Sequence, residues 1–373
     1  MSSTELISGR GYPVETHVVT TPDGYLLELH RIPSSPKAGN ATAPHRTPLL
    51  LAHGMGSSDE QWLVPTPNLA FILADHGYDV WLTNYRGSFY GRRHTSINPK
   101  SPEFWDFSWH ENGVIDQPAM MDYVLEVTKR PKLVMIGHSM STTAQIVLLA
   151  ERPEYADKVL AGVYLAPTVY FRHPVGMMDF LRALAKTFPS LKTAYSRYVS
   201  NNPMPGMDHG LFKSCHPLTR RGKARPVCRF FIEWGGGAPH QPEDLDLMLR
   251  MMGHYPTGAS IRQVMHYFQG ITSGEFRQYD YGAQRNRQIY GSRLPPRYNL
   301  TNVRAPTYLY YSVSDGLVSM LDVEELVENL PSVKVLELHK VGGNQFSHLD
   351  YILASEDSDL YQSILKSLDK YTR

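Results

Sequence analysis

Ser139 stands in Gly137-His-Ser-Met-Ser141, between a short apolar run, Leu133 to Ile136, and a segment from Thr142 onward that reads as a helix apolar on most faces. This is the strand–turn–helix pattern G-x-S-x-G with serine in the last place. A strained turn there lifts the hydroxyl out of a sheet and sets free backbone N–H groups of a helix N-terminus beside it. The chemistry such a site serves is acyl transfer through an anionic tetrahedral intermediate. A serine hydroxyl needs a neighbouring base, and in sites of this kind the chain order is serine, acid, histidine. Asp315, in Tyr310-Tyr-Ser-Val-Ser-Asp-Gly316, and His348, in Asn344-Gln-Phe-Ser-His-Leu-Asp350, follow in that order. The chain has 16 histidines, so position and not residue type selects His348. His138 is expected to point away from the serine and pack. Asp322 and Asp350 compete for the acid role; Asp322 suits capping of the next helix, and Asp350 lies very close to His348 in sequence. The oxyanion donors expected are the backbone N–H of Met140 and that of Met55, after His53-Gly54, where the glycine lets the backbone bend close.

The elements that must position these residues follow from periodicity. Residues 14–20 and 25–31 alternate around the turn signal Thr21-Pro-Asp-Gly24 and read as a hairpin. Buried strands are expected at 49–52, 78–82, 133–136 and 159–166, with helices at 68–76 and 111–128 between them. Alternation of strand and helix is the signature of a parallel sheet covered on both faces. The rhythm breaks near Tyr170 and resumes near Thr307 with strands at 307–312 and 333–338 and helices at 321–330 and 355–368. The reading is therefore an α/β chain in three parts. Residues 1–169 and 300–373 form one core, and 170–299 form an inserted helical cap over the carboxyl edge of the sheet, where open α/β folds keep their ligand sites. Both Asp315 and His348 fall at that same edge.

At 373 residues, with 42% hydrophobic and 20% charged residues, the chain is long enough for a sizeable core plus an insertion. A formal charge of +1 offers no electrostatic case for nucleic acid or an acidic membrane surface. No apolar run approaches the roughly 18 residues needed to cross a bilayer, and Met1 to Arg10 lacks the apolar core of a signal peptide. The two cysteines, Cys215 and Cys228, are a candidate disulfide whose loop closure is worth about 3 kcal/mol, with two free thiols as the alternative. Asn40 and Asn299 begin N-glycosylation sequons. The chain is then either cytosolic or begins after a cleaved leader, and the sequons with the cysteine pair tilt the expectation toward a secretory-pathway protein.

The residues quoted so far, with Gly11-Tyr-Pro13, Asp23-Gly-Tyr25, Arg31-Ile-Pro33, Leu69-Ala-Phe-Ile-Leu-Ala74, Gly77-Tyr-Asp-Val-Trp-Leu82, Arg86-Gly87, Glu103-Phe-Trp105, Leu165-Ala-Pro167, Gln278-Tyr-Asp280 and His348-Leu-Asp350, resemble in order the motifs of the acid lipase family of gastric and lysosomal lipases and their insect relatives. The resemblance runs over nearly the whole chain. It implies an α/β-hydrolase fold with a helical cap, and hydrolysis of neutral-lipid esters met at a lipid–water interface. It further implies no metal or cofactor, a secreted or lysosomal glycoprotein, and a triad of Ser139, Asp315 and His348. One departure stands at the elbow. The family usually has Gln-Gly after the nucleophile, and here Met140-Ser141 follows; Ser141 is expected to bring some strain and Met140 a more apolar pocket. Two rival readings are a carboxylesterase acting on small soluble esters and a non-catalytic lipid-binding protein on a lipase scaffold.

Overall fold

Short runs of β-branched and aliphatic residues bounded by turns form strands, and here the side chains of each run divide between two apolar layers. In the computed structural model, residues 1–38, 46–64, 68–188, 257–331, 336–341, 346–354 and 358–371 are described. The chain opens with helix α1 (Ser3–Ser8) and the antiparallel hairpin β1 (Glu15–Thr20) and β2 (Tyr25–Ile32). β3 (Pro48–Ala52), α2 (Leu69–Asp75), β4 (Asp79–Thr83) and the short β5 (Arg93–His94) come next. After them run α3 (Trp109–Glu111), a π-helical turn (Asn112–Asp116), α4 (Gln117–Thr128), β6 (Leu133–His138), α5 (Met140–Glu151) and β7 (Val159–Leu165). Beyond β7 lie α6 (Gly176–Thr187), α7 (Ile261–Ser273) and α8 (Ala283–Tyr290). β8 (Thr307–Tyr311), α9 (Met320–Asn329), β9 (Leu336–Lys340), α10 (Asp350–Leu353) and α11 (Asp359–Leu368) complete the chain.

The strands make one sheet in the order β1-β2-β4-β3-β6-β7-β8-β9, with β5 paired to β2. From β4 through β9 every pairing is parallel, and the β1–β2, β2–β4 and β2–β5 pairs are antiparallel. The fold is that of an α/β-hydrolase: a mixed, mostly parallel sheet flanked by helices. Alternate residues of each strand face opposite layers. Leu49, Leu51, Val134, Ile136 and Val163 pack with α1, α2, α10 and α11. Leu50, Ala52, Leu133, Met135 and Tyr164 pack with α4 and α5. Burial on both faces is why these strands read as nearly continuous apolar runs.

The order reverses at β3, whose neighbours are β4 on one side and β6 on the other. At such a switch point the loops leaving adjacent strands diverge and open a crevice at their carboxyl ends. The loop after β3 carries His53 to Gly56, and the turn after β6 carries Ser139. The helix expected at 111–128 differs from expectation in its first half. It starts at Trp109 and widens into the π-helical turn, where Gly113 lies so close to α5 that a Cβ would meet the Ala144 carbonyl oxygen at 2.7 Å. The Met-rich stretch 245–252, the Cys215–Cys228 pair and the Asn40 sequon lie outside the described residues.

Candidate active site

Ser139 holds φ 57° and ψ −123°, a conformation that costs a non-glycine residue on the order of 1–3 kcal/mol and persists only where the surroundings impose it. Three contacts impose it. Ser139 N–H donates to the Leu165 carbonyl at 3.0 Å, tying the turn to β7. Gly137 leaves room behind the turn, since a Cβ there would meet Gln145 Oε1 and Ser141 Oγ at 2.9 Å. Ser141 Oγ accepts from His138 N–H at 2.7 Å and has the Ala52 and His138 carbonyl oxygens at 3.0 and 2.9 Å for its own proton. The hydroxyl of Ser141 thus bridges the ends of β3 and β6. Met140 is 2% exposed, so its side chain is held in the interior.

The structure brings Ser139, His348 and Asp315 together from three loops. His348 Nε2 lies 2.9 Å from Ser139 Oγ, and its Nδ1 lies 2.9 and 3.1 Å from the two oxygens of Asp315. A carboxylate only accepts, so Nδ1 carries the ring proton and Nε2 presents its lone pair to the serine O–H. Asp315 Oδ1 also accepts the backbone N–H groups of Leu317 and Val318, at 2.8 and 3.0 Å, which fixes the carboxylate's orientation. The turn-capping role of an Asp-Gly pair and the contact with histidine thus coexist in one side chain. Both His348 and Asp315 are buried, and Ser139 is partly open.

The competing acids do other work. Asp322 Oδ1 accepts the backbone N–H groups of Arg172 and His173 at 2.9 and 3.0 Å, while Ser319 caps α9. It anchors the segment that leaves β7, a use the capping expectation missed. Asp350 Oδ2 accepts Ser347 N–H at 2.6 Å and braces the turn that bears His348. Among the described residues, His173, Asp322 and Glu325 bring ligand atoms within 4.8 Å of one another. Arg172 already pairs with Glu325 at 3.0 Å there.

Around the serine, two histidines, His53 and His138, serve as scaffolding. His53 Nδ1–H donates to the Gly54 carbonyl at 2.8 Å, and its Nε2 accepts Tyr85 N–H at 3.2 Å. Burial pushes its pKa down to about 4, so the ring is neutral and both bonds persist. Gly54 N–H donates to Gln61 Oε1 at 3.0 Å, and a Cβ at Gly54 would lie 3.4 Å from that of Ser139. Met55, 38% exposed, follows directly. His138 is buried and its Nε2–H donates to the His348 carbonyl at 3.0 Å. Burial, reinforced by the nearby His348, holds its pKa well below the ordinary histidine range. His138 packs away from the serine as expected, and in addition ties the elbow strand to the backbone of the histidine facing the serine. A His-Gly pair ending one apolar run and a Gly-His-Ser ending another were the available signals.

A cavity of about 620 Å³ lined by Tyr170, Arg172, Glu275, Arg297 and Glu325 includes none of the three converging side chains. Asn299 is exposed on its rim, with Oδ1 accepting from Thr301 Oγ1 at 2.7 Å.

Known proteins bear on what this geometry serves. A family model described as a partial α/β-hydrolase lipase region matches residues 3–66, and one described as the α/β hydrolase fold matches residues 47–350. Lipase 1 of Drosophila melanogaster is 40% identical over 99% of this chain and 80% of its own length. Human lipase member K is 31% identical over 100% of this chain and 91% of its own. Among solved structures, α/β hydrolase GrgF from Penicillium sp. sh18 matches with a TM-score of 0.51 at 15% identity, covering 96% of this chain and 97% of that one, a likeness of fold. No helix among the described residues is long and apolar enough to cross a membrane. With both family models matched and relatives named as lipases aligned nearly end to end, the chain belongs to the lipases of the α/β-hydrolase fold and is a carboxylic ester hydrolase.

Proposed function

We propose that the chain hydrolyses neutral-lipid esters, triacylglycerol or cholesteryl ester, through an acyl-enzyme on Ser139. The observation that carries the reading is the unbroken line Asp315–His348–Ser139, with donors and acceptors already in the required sense. His348 Nε2 takes the hydroxyl proton as Oγ attacks the ester carbonyl carbon, and Asp315 stabilises the imidazolium that forms. The carbonyl oxygen becomes an oxyanion and is held by the N–H groups of Met140, at the open N-terminus of α5, and Met55. Each donor of this kind is worth about 10²–10³-fold in rate. His348 returns the proton to the departing alcohol. Water, deprotonated by the same ring, then frees the fatty acid.

Residues 170–299 serve in this reading as the cap over the site, and the bulk of the lipid is met at a lipid–water interface. Secretion or delivery to lysosomes, with a glycan on Asn299, belongs to the same proposal; the exposed sequon and the lipase relatives support it. The test is hydrolysis of emulsified triacylglycerol, cholesteryl ester and dissolved short-chain esters from about pH 4 to pH 8, with Ser139→Ala as control. Activity on the emulsified lipids that falls by about 10³-fold or more in Ser139→Ala is expected. Preference for dissolved short esters would replace the lipase reading with a small-ester carboxylesterase. Failure of the folded protein to react with a fluorophosphonate would leave a lipid-binding role.

A further inference from the structure

Behind the N-terminus of α5 lies a buried chain of polar groups that the hydrolytic cycle does not use. Arg86, 3% exposed, donates from Nε to Asp116 Oδ1 at 2.8 Å and pairs on its other side with Asp23. Asp116 Oδ2 accepts Asn112 Nδ2–H at 3.0 Å within the π-helical turn. Asn112 Oδ1 accepts Gln263 Nε2–H at 2.7 Å, and Gln263 Oε1 accepts Ser260 N–H at 2.8 Å at the start of α7. The same Gln263 Nε2 lies 3.5 Å from Met140 Sδ. Asn112 and Asp116 are fully buried and Gln263 nearly so.

The direction of every bond in this chain is dictated by one end. Asp116 is an acceptor on Arg86, so Asn112 must turn its NH₂ to Asp116 and its oxygen outward. That oxygen requires a donor, and Gln263 supplies it. A carboxylate at 263 would set two acceptors face to face, and Asn112 cannot flip to relieve them without aiming its own oxygen at Asp116. The thioether contact makes this register matter for the reaction, because Met140 is the first residue of α5 and in the acyl-enzyme reading supplies an oxyanion N–H.

We infer that Gln263 is a positioning residue: from helix α7 it holds Met140, and with it the oxyanion N–H, against the π-helical turn. The inference rests on the Ser139 acyl-enzyme reading above. A donor displaced by about 1 Å loses on the order of 10²-fold in rate without weakening ground-state binding. The cost of losing Gln263 therefore falls on kcat and not on KM.

The experiment is the pH dependence of kcat for Gln263→Glu relative to the wild type, each assayed on a soluble short-chain ester. In Gln263→Glu the protonated carboxyl restores a donor to Asn112, and the ionised carboxylate does not. Burial and Asp116 raise this introduced group above the usual carboxylate range. Other ionisable groups on the elements packed here are Arg86, joined to position 263 through Asp116 and Asn112, Glu111 beside Asn112 in the chain, and Arg262 (paired with Asp106) and His266 on α7. His266 is held neutral by burial, so the ratio of variant to wild type follows the introduced carboxyl. Expected is a ratio near one at mildly acidic pH that falls about 10- to 100-fold toward neutrality, with KM unchanged. A ratio constant across pH would overturn the inference. Gln263→Met, a volume-matched change that removes the donor at every pH, keeps the test in hand if Gln263→Glu fails to fold. It should lower kcat by the same factor at all pH values, and an unchanged kcat would overturn the inference. A wild type without turnover and without fluorophosphonate labelling would instead refute the acyl-enzyme reading itself.

Discussion

At the scale of single residues, three aspartates compete for one role and their oxygens separate them. Asp315 gives both oxygens to His348 Nδ1 and braces itself on two backbone N–H groups. In Asp315→Asn the amide either donates to the ring, forcing the wrong tautomer, or loses the charge that steadies the imidazolium. A fall in kcat of roughly 10³–10⁴-fold with little change in KM is expected from steady-state kinetics. Asp322 instead holds the segment leaving β7 through Arg172 and His173. Asp322→Asn keeps an oxygen acceptor there, so its kcat should remain within a few-fold of the wild type. A large loss in Asp322→Asn with retention in Asp315→Asn would reverse the assignment. Ser141 is the other telling residue. Its hydroxyl accepts from the buried His138 N–H and lies within reach of the Ala52 and His138 carbonyl oxygens, and Ser141→Ala removes all three contacts. A loss of about 1–3 kcal/mol in unfolding free energy is expected, read from urea denaturation.

At the scale of elements, the site is where loops from β3, β6, β8 and β9 meet, each braced within itself or against a neighbour. His53 and Gln61 fold the loop after β3 onto itself beside Ser139. His138 joins β6 to the loop carrying His348. Helix α7 is bound to the core along its length. Ser260 Oγ donates to the Trp105 carbonyl at 2.7 Å, His266 stacks on Trp109 at 3.5 Å, and Tyr267 OH lies 2.9 Å from Thr143 Oγ1. An element held by so many buried polar contacts moves as part of the core. Helix α6 has a different character, with Phe180, Leu184 and Phe188 exposed at helical spacing. Substituting Tyr267 by Phe removes one of those ties and should raise amide hydrogen exchange in α7 before it alters α5.

Over the whole molecule, buried histidines set opposite pH limits on stability. His30 is buried against Asp59 at 2.5 Å and Glu28 at 3.2 Å. Burial alone would push it down, but the charge of Asp59 and hydrogen bonds to both carboxylates hold it at about 9. The folded state binds this proton more tightly than the unfolded chain, whose value is about 6.5. That contribution is present in full below about pH 6.5 and is lost as pH rises toward 9. His53 has the reverse sign. With a folded value of about 4, set by burial, it favours the folded state above about pH 6.5 and loses that contribution as pH falls toward 4. His138 and His266 are shifted in the same downward direction. Thermal midpoints measured from about pH 4 to pH 9 should therefore pass through a maximum and fall on both sides. In His30→Gln the alkaline decline should flatten while the acid decline remains. An unchanged alkaline limb in that variant would disprove the assignment to His30.

Periodicity in the sequence was enough to place the hairpin, the apolar strands and the serine turn closely, because all of them follow from local rules: alternation, apolar runs and a glycine-bounded turn. It also nominated Ser139, Asp315 and His348, since chain order and loop position at one sheet edge are topological and survive without coordinates. Residues whose work is to hold other residues are harder to read. Gln263 and Asn112 carry no spacing signature, and His53 and His138 are marked only by the His-Gly and Gly-His-Ser strings, because each acts on a segment remote along the chain or through a backbone atom. The partners of the Ser141 hydroxyl are set only where β3 and β6 lie side by side, with the Ala52 and His138 carbonyl oxygens within its reach. The sequence by itself determined which chemistry the chain is equipped for. Only the tertiary structure decided which donors face which acceptors, because hydrogen-bond direction depends on angles and distances between segments that the chain itself keeps far apart.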